Sequence, residues 1–132
     1  MKDKRDISIR TPFDKVHQFL SEAENLPKWT TFFQQLISIE DGICIMKTPA
    51  GISRTYCEVS NNRTMTKIKI ISNFDHKTET ATIFLKKFPT NCHVTFHLKT
   101  PPKLDPKIHI KMLKNLEKEL LFLKNHLENL GE

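Results

Sequence analysis

Glycine is scarce in this chain, with three among 132 residues. A phosphate cradle needs several at fixed spacing, so a P-loop or a dinucleotide fingerprint is excluded. Cysteine is equally scarce: Cys44, Cys57 and Cys92 are an odd number without CxxC spacing. That gives neither a disulfide framework nor a zinc pattern, and reduced, half-buried thiols are expected, with no metal or other cofactor. No apolar run reaches the roughly 18 residues that a membrane-spanning helix requires. The opening Met1-Lys2-Asp3-Lys4-Arg5-Asp6 carries no apolar signal core, so a cytoplasmic location is expected. A Ser-His-Asp context is missing, and so is the aromatic basic sheet motif of an RNA-recognition domain; no nucleic-acid partner is expected.

What remains is globular in composition, 38% hydrophobic and 27% charged, and of a length that suits one domain spanning residues 1–132. The formal net charge of +6 permits an anionic partner without requiring one. Its clearest concentration is Lys107, Lys111, Lys114 and Lys118, along one side of the last helical stretch. A solvated helix face accounts for these lysines as well as a ligand does.

Ile7 and Ile9 alternate with polar neighbours as a short half-buried strand. Thr11-Pro12 then reads as a helix start, with a hydroxyl cap, proline at the first helical position and Asp14 in the first turn. Phe13, Val16, Phe19 and Leu20 fall at helical spacing, and Leu26-Pro27-Lys28-Trp29 opens a second short helical segment carrying Trp29, Phe32 and Phe33. From Leu36 to Thr100 the period is two. Turns at Asp41-Gly42, Pro49-Ala50, Asn61-Asn62, Asp75-His76 and Phe88-Pro89 divide strands near 36–40, 43–48, 52–60, 64–72, 78–87 and 92–99. Pro101, Pro102 and Pro106 end the sheet. Leu113, Leu116, Leu120, Leu123, Leu127 and Leu130 then mark one amphipathic helix of about 22 residues, about 33 Å long, stopped by Gly131.

Cross-strand partners share a face, so centring the turns sorts the side chains. One face collects Ile37, Ile39, Cys44, Met46, Ser53, Thr55, Cys57, Val59, Ile68, Ile70, Ala81, Ile83, Leu85, Cys92, Val94, Phe96 and Leu98. The other takes Glu40, Lys47, Arg54, Glu58, Lys67, Lys69, Lys86, His93, His97 and Lys99. The uncharged face needs an apolar cover, and the leucine-striped helix is the available one. The expected architecture is an α+β helix-grip fold, seven antiparallel strands curved around a long C-terminal helix. An interior without acids, bases or histidines gives acid–base catalysis nothing to work with, so no catalytic residue is assigned and the chain leans away from being an enzyme.

Several short stretches carry a family resemblance. They are Ile7-Ser8-Ile9-Arg10-Thr11-Pro12-Phe13-Asp14-Lys15-Val16, Asn25-Leu26-Pro27-Lys28-Trp29, Thr48-Pro49-Ala50-Gly51 and a final helix with Leu120-Leu121-Phe122-Leu123-Lys124. With the order strand, two helices, meander, long helix, the chain resembles the START and birch-pollen-allergen-like superfamily (SRPBCC), in particular its small polyketide cyclase-like members. The resemblance implies a hydrophobic cavity for lipids, sterols or polyketides, and no universal catalytic residue to carry over.

The cavity lining expected between sheet and helix is Trp29, Phe33, Met46, Thr55, Cys57, Ile68, Ile70, Ile83, Phe96, Met112 and Leu116. Arg54, Tyr56 and Glu58 fall on the outer face by register, and only a bulge turning them inward makes them a polar anchor. His93 and His97 lie about 13 Å apart on a strand, too far to chelate one ion alone. Asp75-His76 is turn chemistry. Three functions stay open: a non-catalytic carrier or sensor of a hydrophobic small molecule, favoured by the uncharged interior; a cyclase or dehydratase; and a protein-interaction module using Ile43, Ile45 and Tyr56 or the lysine side of the last helix. Monomer and homodimer are both compatible with these.

Overall fold

Asp41 and Gly42 adopt φ of 52° and 78°, the paired positive values that a two-residue hairpin demands. They join β2 (Gln35–Glu40) to β3 (Ile43–Thr48) in a computed structural model that describes residues 2–75, 77–99 and 106–130, apart from the side chains at 2, 3, 98, 99, 108, 109, 112 and 130. The meander continues through β4 (Gly51–Asn61), β5 (Met65–Asn73), β6 (Thr78–Lys87) and β7 (Cys92–Lys99). β1 (Lys2–Ile9) closes on β7, giving the antiparallel order β1-β7-β6-β5-β4-β3-β2. The sheet is curved and open, and with the C-terminal helix it forms the helix-grip α+β fold.

Three of the five turns sit where the sequence places them. Thr48 secures one with its hydroxyl, which donates to Gly51 O at 2.7 Å and accepts from Ala50 N at 3.1 Å, while Gly51 takes a φ of 110°. The other two are displaced. The β4–β5 turn closes through Asn62 N to Met65 O and centres on Arg63-Thr64, and the β6–β7 turn closes through Phe88 N to Asn91 O and centres on Pro89-Thr90. Each displacement changes the pairing by an even number of residues, so every side chain keeps its face. Cys57 pairs with Ile70, Ile68 with Ile83, and Ile83 with Phe96, all inward. Pro101, Pro102, His76 and Gly131 lie outside the described residues, as do the side chains of Leu98 and Leu130.

Two local expectations are corrected. A bulge between Leu36 and Ser38 in β2 leaves Ile37 as the extra residue, so Leu36 rather than Ile37 opposes Met46, and Ile37 is 52% exposed. Ile39 keeps its partner Cys44 but remains 49% exposed at this edge. The first helix, α1 (Phe13–Ser21), starts one residue late: Pro12 is its N-cap, and the buried Thr11 hydroxyl caps nothing and finds no partner among the described residues.

A single 3-10 turn (Ala23–Asn25) leads into α2 (Leu26–Trp29). Asn25 explains the Asn-Leu-Pro-Lys-Trp stretch. Its buried amide donates to Phe19 O at 3.0 Å, tying the end of α1 to the start of α2, while Leu26 and Trp29 turn into the core. Thr30 ends α2 by donating both its hydroxyl (2.8 Å) and its N–H (2.9 Å) to Leu26 O, so Phe32 and Phe33 follow the helix instead of lying on it as the sequence suggests.

The last helix, α3 (Pro106–Leu130), buries Leu116, Leu120, Leu123 and Leu127 as one stripe. It also covers the β1 edge. Arg5 meets Glu117 at 3.1 Å, Lys124 donates to Ser8 O at 2.8 Å and to Glu128, and Arg10 N donates to Glu128 at 2.9 Å. The core assembles from this stripe together with Ile9, Val16, Leu20, Ile68, Ile83, Leu85 and Val94.

Candidate functional site

The inner face of the sheet is not uniform. Over β5 to β7 it is bulky and apolar, with Ile68, Ile70, Ile83, Leu85, Val94 and Phe96 buried. Over β3 to β5 small side chains adjoin, because Cys44 opposes Thr55 and Thr55 opposes Ser72, with Ser53 next along β4 opposite Met46; Cys57 and Ala81 lie on either side of Ile70.

The hydroxyls of this floor bond to one another. Ser53 Oγ and Thr55 Oγ1 are 2.9 Å apart, and Thr55 donates to Ser72 Oγ at 3.1 Å; all three residues are buried. Proton counting orders the chain. Thr55 has one hydroxyl proton, given to Ser72, so Ser53 must donate to Thr55. The proton of Ser72 is left over, and among the described residues no acceptor takes it.

Aromatics cover one end. Trp29 sits edge-on to Phe96 with centroids 6.1 Å apart, and Phe32 contacts both Phe33 at 5.1 Å and Phe74, in the β5–β6 turn, at 6.3 Å. Thr31, in the same segment, donates its hydroxyl to Glu119 Oε1 of α3 at 2.9 Å. Burial raises the Glu119 carboxyl above its ordinary value of 4.5, and the bonds from Thr31 offset part of that rise. Burial also pushes Cys57 up to about 12, helped by neighbouring Cys44, and Cys92 to about 11. These thiols stay protonated and behave as small apolar groups.

Of the expected lining, Trp29, Phe33, Met46, Ile68, Ile70, Ile83, Phe96 and Leu116 fall in one core cluster, with Cys57 packed against it and Thr55 in the hydroxyl chain. The side chain of Met112 lies outside the described residues. Arg54, Tyr56 and Glu58 stay on the opposite side of the sheet. The β4–β5 register runs unbroken from Arg54 to Asn61, so the bulge needed to turn them inward does not form. His93 approaches Asp6 at 3.8 Å and His97 packs on Phe84 at 4.9 Å, both on that outer side. Among the described residues no group of three or more His, Cys, Asp or Glu is placed to hold a metal ion. The sequence reading missed Ser72 and Glu119. Ser72 already lies at the end of the strand expected over 64–72, and carrying the alternation two residues past Ile70 puts it on the inner face; helical spacing from Leu116 and Leu123 exposes the second.

Two surface hollows lie elsewhere, where α1 meets the β4–β5 and β6–β7 turns. The larger, about 510 Å³, is lined by Phe13, Arg63, Met65, Lys86 and their neighbours. Among the described residues no helix is long and apolar enough to cross a membrane.

No protein-family model matches this sequence, and no curated protein matches it either. Solved structures do. A START superfamily protein from Mycobacterium smegmatis superposes with a TM-score of 0.68 at 12% identity, covering 98% of each chain. A STAR-related lipid transfer protein fragment from Xanthomonas axonopodis gives 0.66 at 13% identity, over 96% of this chain and 85% of that one. The Aha1 dimer from Colwellia psychrerythraea gives 0.66 at 16% identity, over 97% and 96%. Identities this low carry the fold alone. The chain has a START/SRPBCC-type fold.

Proposed function

We propose that this chain binds a hydrophobic small molecule or lipid between the concave sheet face and α3, without transforming it. The single observation that supports this most is the floor of the site: small, uncharged side chains whose hydroxyls are already bonded to one another. A surface of that kind gains from apolar contact, at about 25 cal/mol per Å² removed from water, and demands little of the cargo's polar groups. Trp29, Phe33, Met46, Thr55, Cys57, Ile68, Ile70, Ile83, Phe96 and Leu116 form the lining, and the leftover Ser72 proton replaces Arg54, Tyr56 and Glu58 as the polar anchor. A START superfamily protein and a STAR-related lipid transfer protein among the structural neighbours support the same reading.

Solvent extraction of the native protein followed by mass spectrometry tests it, together with titration by a fluorescent fatty acid. Trp29, the sole tryptophan, reports from the lining. Saturable binding that Cys57→Phe abolishes by filling the floor is expected. Absence of both a co-purifying molecule and saturable probe binding rejects the proposal.

One observation favours an enzyme of the cyclase or dehydratase type instead. Glu119, whose carboxyl burial raises above its ordinary value, accepts from Thr31 at the flank of the site and is the titratable group an acid–base step there would use. Loss of turnover in Glu119→Gln with cargo binding intact supports that alternative; cargo binding without any turnover in the parent removes it.

A further inference from the structure

Outside its buried leucine stripe, α3 separates its charges by sign. Glu117 is held by Arg5, Glu119 by Thr31, and Glu128 by Lys124 and the Arg10 N–H. All three acids described in this helix are thereby turned toward the body of the protein. On the opposite side Lys107, Lys111, Lys114 and Lys118 stand exposed along one strip, about 16 Å long at 1.5 Å per residue. Lys111, Lys114 and Lys118 form no ion pair among the described residues. Large apolar side chains border the strip on both sides: Ile110 and Leu121, each 54% exposed, on one, and Phe122, 52% exposed, on the other.

We propose that this outward face of α3 docks on an anionic lipid bilayer. A basic strip alone suits any polyanion, but RNA would meet the lysines and leave Ile110, Leu121 and Phe122 in water. A bilayer accommodates both kinds of side chain at once. Ammonium groups settle among the phosphates while the apolar side chains enter the boundary below them, the arrangement of a helix lying in the interfacial plane. The surface stands independently of any cargo, and its test uses none.

The full chain is sedimented with phosphatidylcholine vesicles, with and without phosphatidylserine, over a range of salt. Binding to the serine-containing vesicles alone, falling as salt rises, is expected. Each lysine near an anionic leaflet contributes about five-fold, so Lys111→Glu with Lys118→Glu weakens partition by at least about thirty-fold. Leu121→Ser with Phe122→Ser weakens it while leaving the preference for anionic lipid. These positions are exposed, and an unchanged melting temperature verifies the fold; the salt series on the parent chain reads the same property without a variant. Equal binding to both vesicle types, binding to neither, or indifference to the lysine changes overturns the proposal. So does tighter binding to RNA than to vesicles that ignores the Leu121 and Phe122 changes, because that identifies a plain polyanion site.

Discussion

Thr55→Val removes one oxygen from the middle of the hydroxyl chain and keeps the side-chain shape. In the parent, Thr55 accepts from Ser53 at 2.9 Å and donates to Ser72 at 3.1 Å, and Thr55 and Ser53 are fully shielded from water. The substitution therefore strands a donor on Ser53 and an acceptor on Ser72 with no solvent to replace the partner. At about 1 kcal/mol for each net bond lost, the expected destabilisation is about 2 kcal/mol. For a chain of this size that lowers the melting temperature by about 8 °C. Restoring consistency should recover most of it. Ser53→Ala, Thr55→Val and Ser72→Ala together leave no orphan, and only the small volume lost at two serines remains as a cost. Equilibrium urea unfolding at neutral pH measures both variants, with an unchanged slope confirming that the native state is what changed. A Thr55→Val protein within about 0.5 kcal/mol of the parent, or a triple variant that is simply the sum of three losses, refutes the account of a self-satisfied floor.

Glu119→Gln keeps the acceptor for Thr31 and discards the charge that burial disfavours. Because the folded carboxyl sits above its ordinary 4.5, its stabilising contribution is full below that value and is lost as pH rises through the raised one. The glutamine variant should accordingly melt higher than the parent at neutral pH and no higher in acid; equal melting at both rejects the burial. Cys57 and Cys92, raised to about 12 and about 11, should resist Ellman's reagent at neutral pH in the native state and react fully in denaturant. The same rise means that stability held below pH 9 is lost as pH climbs toward 12, visible as alkaline unfolding that Cys57→Ala shifts to higher pH. Leu123→Ala, at a fully buried point of the α3 stripe, should cost about 2–5 kcal/mol by chemical denaturation, and a loss under 1 kcal/mol would mean the helix is not gripped as described.

The architecture was legible because charge and turn chemistry agree. Lys67 and Lys69 face away from Ile68 and Ile70, and no displacement by an even number of residues undoes that. This is why the β4–β5 and β6–β7 turns can shift from Asn61-Asn62 and Phe88-Pro89 without disturbing either face. Features that break periodicity were not legible. The β2 bulge inserts Ile37 between Leu36 and Ser38, and an isoleucine there reads as inward by alternation alone. Thr11-Pro12 carries the usual marks of a capped helix start, yet the hydroxyl is buried and Pro12 takes the cap position. Of the site, the aliphatic lining follows from the strand pattern. Ser72 and Glu119 do not: one sits where the alternation fades toward a turn, and the other on the flank of a stripe whose leucines dominate the helical signal.

A floor that bonds to itself exerts little selection on what lies above it, so any directional preference must come from groups with unfilled capacity. Ser72 is the candidate on the sheet, since the chain Ser53 to Thr55 to Ser72 delivers two protons inward and leaves a third without an acceptor. Ser72→Ala removes that proton and also one acceptor, whose loss Thr55 feels at about 1 kcal/mol of stability. Binding separates two kinds of cargo. One that presents a carbonyl, ether or carboxylate to the floor should lose about ten-fold in affinity, the worth of one hydrogen bond, whereas a pure hydrocarbon should bind unchanged. Paired titrations with a fatty acid and an alkane of equal chain length read the difference directly. If the two respond alike to Ser72→Ala, the leftover proton plays no part in recognition, and shape alone governs what the concave face admits.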